Sequence, residues 1–138
     1  MTISTALQPR FADAKLPTVK KLPKTTAKRS SCPVATALDV FGDKWTLLLV
    51  RDMGIFGRCR NKEFQDGKEG IPTNILANRL KSLQEHGLVQ RKPYQNNPPR
   101  FEYHLTPAGE ELVPIVRSMA RWSADHVAGI RIPKHAQK

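Results

Sequence analysis

Residues Arg100-Phe-Glu-Tyr-His-Leu105 alternate strictly, with Phe101, Tyr103 and Leu105 on one face and Arg100, Glu102 and His104 on the other. A period of two specifies a half-buried strand. A strand needs a neighbour for its backbone N–H and C=O groups. Leu88 and Val89 open a second extended run into Arg91-Lys92, and Pro93-Tyr-Gln-Asn-Asn-Pro-Pro99 between the two reads as a loop. The pair therefore predicts a β-hairpin with a long tip. The other patterned stretches have a helical period, so the expected class is mainly α with one small hairpin (α+β).

Pro33 begins a short apolar pattern (Val34, Ala35, Ala37, Leu38, Val40, Phe41) that suits a helix closing near Gly42. Asp43 can cap a second helix from Lys44 to about Met53, apolar almost all round and so expected at the centre of the core. Gly54 and Gly57 end it. Extended residues follow around Arg58–Arg60, then a short helix over Lys62–Asp66 capped by Asn61, then a turn at Gly67-Lys-Glu-Gly70. Pro72 suits the first position of a helix running to about His86, with Gly87 closing it. Thr106-Pro107 marks the start of the last helix, whose Leu112, Ile115, Val116, Met119 and Trp122 recur at three-and-four spacing.

On the helix after Pro72, Ile75, Leu76, Leu80 and Leu83 share one face, while Asn74, Ala77, Asn78, Lys81 and Glu85 share the opposite one. Helix, short extended piece, short helix, turn, helix and hairpin, in that order, make a winged helix-turn-helix. A helix lying in a DNA major groove must present small polar side chains outward. Thr73, Asn74, Ala77, Asn78 and Lys81 are the candidate reading residues: Asn can pair with adenine, Ala permits close approach, and Lys can meet phosphate or guanine. Arg91, Lys92, Asn96 and Arg100 on the hairpin would meet backbone or minor groove, which fixes position more than sequence.

Charge agrees with a polyanionic partner without proving one. The chain has 138 residues and 23 Lys+Arg against 12 Asp+Glu, a formal net charge of +11. Residues 1–30 hold seven bases against Asp13, together with Pro9, Pro17 and Pro23 and no apolar period, which gives +6. Such a segment cannot bury enough surface to offset its ordering entropy, and it reads as a disordered basic arm. It is either a solvated tail or an electrostatic arm tracking phosphates. Residues 31–128 are expected to form one domain, and 129–138 a flexible basic tail. No apolar run is long enough to span a bilayer. No secretory signal is recognisable, so a cytoplasmic, nucleoid-associated protein with reduced thiols is expected.

Four blocks carry a family resemblance: Cys32-Pro-Val with Ala37-Leu-Asp-Val-Phe-Gly-Asp-Lys-Trp-Thr-Leu-Leu-Leu-Val-Arg-Asp52; Gly70-Ile-Pro-Thr-Asn-Ile-Leu-Ala-Asn-Arg-Leu-Lys-Ser-Leu83; Gly87-Leu-Val; and Pro98-Pro-Arg-Phe-Glu-Tyr-His-Leu-Thr-Pro-Ala-Gly109. Over about residues 31–123 the chain resembles HxlR-type transcriptional regulators. The resemblance implies a homodimeric bacterial DNA-binding protein, dimerising through its first and last helices and reading a pseudo-palindromic site with paired recognition helices. Two departures stand out: Asn61 occupies a position where many members carry an aromatic residue, and the segment before Cys32 is longer than is common.

Cys32 matches a cysteine that in some members senses oxidants or electrophiles. A thiolate at a helix N-terminus near Lys28 and Arg29 has a physical basis for reactivity, and a small packed residue at a dimer interface is the alternative. Cys59 is expected to be packed. His86, His104, His126 and His135 show no metal-ligand spacing, and no phosphate loop, Cys-x-x-Cys or nucleophile elbow is present. No metal, cofactor or enzymatic activity is therefore expected. Trp45 and Trp122 either line an effector pocket or fill the core. The function expected is sequence-specific transcriptional regulation. The rivals are a winged helix serving as a protein-interaction module and a non-specific basic binder of nucleic acid.

Overall fold

The computed structural model describes residues 29–134. Helix α1 (Pro33–Phe41) opens on its proline and ends as predicted, with the Gly42 N–H donating to the Leu38 carbonyl at 2.7 Å. The Asp43 carboxylate then accepts from the N–H groups of Trp45 and Thr46, both at 2.9 Å, and from the Thr46 hydroxyl. Lys44 and Trp45 form a turn under this cap, so α2 (Thr46–Gly54) starts two residues later than expected. Only its inner face is fully buried: Leu49 and Val50 are core, whereas Leu47, Leu48 and Met53 are half-buried. Asp52, also buried, accepts from the Arg51 and Arg58 guanidinium groups, and Arg51 reaches Glu69 at 2.9 Å. These bonds tie α2 to the turn at 67–70.

Helix α3 (Asn61–Gln65) is capped one residue earlier than expected. Arg60 is its N-cap, because Glu63 folds back to accept from the Cys59 N–H at 2.8 Å and the Arg60 N–H at 3.1 Å. Phe64 from this helix is only 1% exposed and meets Tyr103 with ring centroids 6.4 Å apart. In α4 (Thr73–Glu85), Pro72 is the N-cap rather than the first helical residue. The helix closes in a Schellman turn, as Leu88 N–H donates to the Leu83 carbonyl (2.9 Å) and Gly87 N–H to that of Gln84 (3.0 Å). That geometry needs the φ of +73° at Gly87, and it brings buried Leu88 against buried Leu83.

Strands β1 (Val89–Asn96) and β2 (Pro99–Leu105) pair antiparallel from Val89↔Leu105 to Asn96↔Pro99. The expected long loop over 93–99 is therefore mostly ladder, with a turn only at Asn97-Pro98, joined by a cis bond. Prolines are tolerated because a two-stranded ribbon leaves alternate N–H groups facing solvent, and a register shift between Pro93 and Gln95 absorbs the remaining mismatch.

The expected single last helix is two. Thr106 caps α5 (Pro107–Glu110) by accepting from the Gly109 N–H, and α6 (Val113–His126) follows after a break at Glu111-Leu112. Pro114 is the reason. It has no N–H, and its ring would clash with the carbonyl four residues back, so it is accepted only in a first turn. The core lies between α2, α4 and the base of the hairpin, with Leu112 closing it. Among the described residues no helix is long and apolar enough to cross a membrane.

Candidate nucleic-acid interface

Helix α4 is held by Leu76, Leu80 and Leu83, each at most 3% exposed. Helical geometry then turns Thr73, Asn74, Ala77, Asn78 and Lys81 outward, and all five are exposed. The structure adds a residue that the sequence did not single out. Arg79 donates to the Asn78 side-chain oxygen from Nη2 at 2.6 Å and from Nε at 3.2 Å, and its Nη1 lies 3.2 Å from Asp43. Burial opposes ionisation of Asp43, but the Thr46 hydroxyl, the two backbone N–H groups and the Arg79 charge outweigh it and hold the carboxyl below its ordinary range. The cap of α2 is thus the anchor for Arg79, and Arg79 orients Asn78. With its oxygen engaged, Asn78 offers its amide N–H groups to an incoming acceptor.

On the wing, Lys92, Asn96 and Arg100 are exposed. Arg91 is also exposed but lays its guanidinium over the Phe101 ring at 4.0 Å, so it packs against the wing as well as facing solvent. Arg60, likewise not anticipated, stacks over Tyr94 at 3.7 Å and pairs with Glu102 at 2.9 Å, which fastens the wing to the start of α3. Lys81, Lys92 and Arg100 have no carboxylate partner among the described residues, whereas Arg51, Arg58, Arg60 and Arg79 do.

Cys32 is exposed at the N-cap of α1. Arg29, expected to favour its thiolate, is directed elsewhere: it pairs with Asp39 at 2.9 Å and donates to the Ala35 carbonyl. Lys28 and the rest of the expected arm, residues 1–28, lie outside the described residues, as do 135–138 of the expected tail. Cys59 is half-buried, and burial together with Glu102 and Glu63 pushes its thiol up, against the Arg60 charge. Folding also places Cys59, Glu102 and His104 together, with ligand atoms within 4.8 Å of one another. No sequence spacing announces that group, since Cys59 stands more than forty residues from the other two. Neither tryptophan is fully buried: Trp45 is half-buried under the Lys44 ammonium, and Trp122 is 59% exposed and stacked on His126.

A helix-turn-helix with an outward polar recognition helix, followed by a basic hairpin, defines the class of winged-helix DNA-binding proteins. The model of the HxlR-like helix-turn-helix family matches residues 40–130. YybR of Bacillus subtilis, an HTH-type transcriptional regulator, is 39% identical over 94 residues, covering 68% of this chain and 74% of YybR. The HTH-type transcriptional regulator sll1512 of Synechocystis is 34% identical over 94 residues, 68% of this chain and 69% of its own. The redox regulator HypR in its oxidized form superposes with a TM-score of 0.63 at 39% identity, over 69% of this chain and 97% of HypR. The chain belongs to the HxlR-like helix-turn-helix family, and it is a transcriptional regulator with a DNA-binding fold rather than an enzyme.

Proposed function

We propose that the chain acts as a homodimer that binds a pseudo-palindromic operator, with α4 of each protomer in a major groove and the hairpin along the flanking backbone. The observation that carries this reading is the exposed face of Thr73, Asn74, Ala77, Asn78 and Lys81 beside a wing whose Lys92 and Arg100 have no carboxylate partner among the described residues. Arg91 and Asn96 supplement the wing contacts. Dimerisation is supported by apolar side chains left open on α1 and α6: Val34 is 68% exposed, Leu38 and Met119 50%, and Trp122 59%. Apolar exposure of that extent along two helices indicates a covered surface. Residues 31–128 form the working domain in this reading, with 1–30 as a basic arm and 129–138 as a tail, and the protein works in the cytoplasm on the nucleoid.

Response to oxidants or electrophiles through Cys32 is the finer part of the proposal. It is supported by the exposure of the thiol at a helix start and by the likeness to a redox regulator. Fluorescence binding to the chain's own promoter region across a salt series tests the whole. A regulator prefers its operator over random duplex by at least roughly 10³-fold. Equal affinity for both would identify a non-specific binder, and no binding a protein-interaction module. Maleimide titration of the native protein tests Cys32, and an inert Cys32 would end the sensor proposal.

A further inference from the structure

We propose that Cys59, Glu102 and His104 form a binding site for a divalent transition-metal ion of the Zn²⁺ class at the base of the wing. Two strand residues separated by one position point to the same side of the ribbon, which places the Glu102 and His104 side chains next to each other. The N–H of Tyr103, between them, donates to the Cys59 carbonyl at 2.8 Å. That bond fixes the extended segment before α3 against β2 and carries the Cys59 sulfur to the pair. The three ligand atoms lie within 4.8 Å of one another, so modest rotamer adjustment brings them onto one ion.

The donor set selects the ion. One thiolate, one imidazole and one carboxylate suit Zn²⁺ or Co²⁺ and do not suit Mg²⁺ or Ca²⁺, which take oxygen ligands. Three protein ligands leave a fourth position for water. The ion reaches the site from solvent, since the His104 side chain is 45% exposed and that of Glu102 25%. Glu102 is already oriented: Arg60 holds its Oε2 at 2.9 Å, leaving Oε1 turned toward His104 at 3.2 Å. Arg60 thus supplies the outer hydrogen bond that ligating carboxylates commonly have. On binding, the Cys59 S–H bond breaks, its proton goes to solvent, the sulfur lone pair bonds the metal, and no electron is transferred.

Titrating the full-length chain with Co²⁺ tests the site. The expected result is one Co²⁺ per chain, with the thiolate-to-cobalt charge-transfer band and the visible bands of a tetrahedral ion. The charge-transfer band should vanish in Cys59→Ser and persist in Cys32→Ser. His104→Gln should weaken binding by more than the roughly 10–100-fold that loss of an orienting partner costs. On the unsubstituted protein, Zn²⁺ should slow maleimide labelling of Cys59 at least roughly tenfold while leaving Cys32 labelling unchanged, a readout independent of how any variant folds. Absence of the charge-transfer band, its survival in Cys59→Ser, its loss in Cys32→Ser, unchanged affinity in His104→Gln, or unprotected Cys59 would each overturn the proposal.

Discussion

Replacing Arg79 by methionine separates orientation of the reading face from its chemistry. The substitution keeps the aliphatic stem of a residue whose side chain is 26% exposed, and it removes the guanidinium that bonds Asn78 and Asp43. The fold should tolerate this. A partly exposed ion pair contributes at most about 1 kcal/mol, and Asp43 keeps its bonds from Trp45 and Thr46, so the cap of α2 survives. What is lost is the fixed position of Asn78. Immobilising a free polar side chain on binding costs about 0.5–1.5 kcal/mol, so the ratio of operator to random-duplex affinity should fall about 2- to 12-fold. Asn78→Ala removes the contact itself and should reduce that ratio by about 1–3 kcal/mol. If Arg79 acts through Asn78, the double variant should lose no more preference than Asn78→Ala alone, a strongly non-additive result. Fluorescence anisotropy on operator and random duplexes at one salt concentration measures all four proteins. Additive losses would show that Arg79 acts independently of Asn78, and an Arg79→Met that weakens both duplexes equally would make it a plain phosphate contact.

The other expectations are independent of that cycle. Lys92→Ala and Arg100→Ala should weaken operator and random duplex alike and each reduce the slope of log affinity against log salt by about 1; a change confined to the operator would make them base contacts. Trp122→Glu should shift the protein to monomer in sedimentation and lower operator affinity, and an unsubstituted chain that sediments as a monomer while binding its operator would remove α6 from any interface. Gly109→Ala should lower the urea midpoint by an amount worth about 1–3 kcal/mol without changing the slope, because a Cβ there overlaps the backbone carbonyl of Leu88 in a buried position. Asp43 has a lowered folded pKa, so its contribution is present above the unfolded value near about 4 and is lost as pH falls through the folded one. The stability gap between the unsubstituted protein and Asp43→Asn should therefore be constant near neutrality and shrink below about pH 4; a gap independent of pH would contradict the cap.

What could be read from the sequence was what depends on local rules. Phe101, Tyr103 and Leu105 announce a strand by period alone, Gly87 a left-handed helix end, and Thr106-Pro107 a capped start, and all three stand where expected. The failures came where a second constraint overrides the rule that was applied. Pro93 and Pro99 look like strand breakers, but in a ribbon with solvent on its outer side they cost little. The three-and-four spacing from Leu112 to Trp122 runs smoothly through Pro114, so periodicity masked a break that backbone sterics impose. Asn61 looks like the better cap until Glu63 is seen to satisfy the N–H groups of Cys59 and Arg60 itself. The outward set on α4 was legible from the helical wheel, but the Arg79 bridge to Asp43 was not, because it joins side chains of two different helices.

That division explains why total charge is a poor guide to the DNA-facing surface. The positioning cations and the proposed contacting cations are different residues. Arg79, anchored on the cap of α2, orients Asn78; Arg60, stacked on Tyr94 and paired with Glu102, fastens the wing to α3; Arg51 and Arg58 converge on Asp52 beneath the turn that leads to α4. Each of these is an arginine, whose planar fork can bond two partners at once or stack on a ring while paired. The cationic side chains on the proposed contact surface that have neither a carboxylate nor an aromatic partner among the described residues are Lys81, Lys92 and Arg100, whereas Arg91 lies over Phe101. A phosphate approaching those three displaces only water. One approaching Arg60 or Arg79 must first break a bond that holds the recognition helix or the wing in place. The geometry therefore separates affinity from orientation. Substitutions among the first group should change how tightly any duplex is held, whereas substitutions among the second should change how well one sequence is told from another.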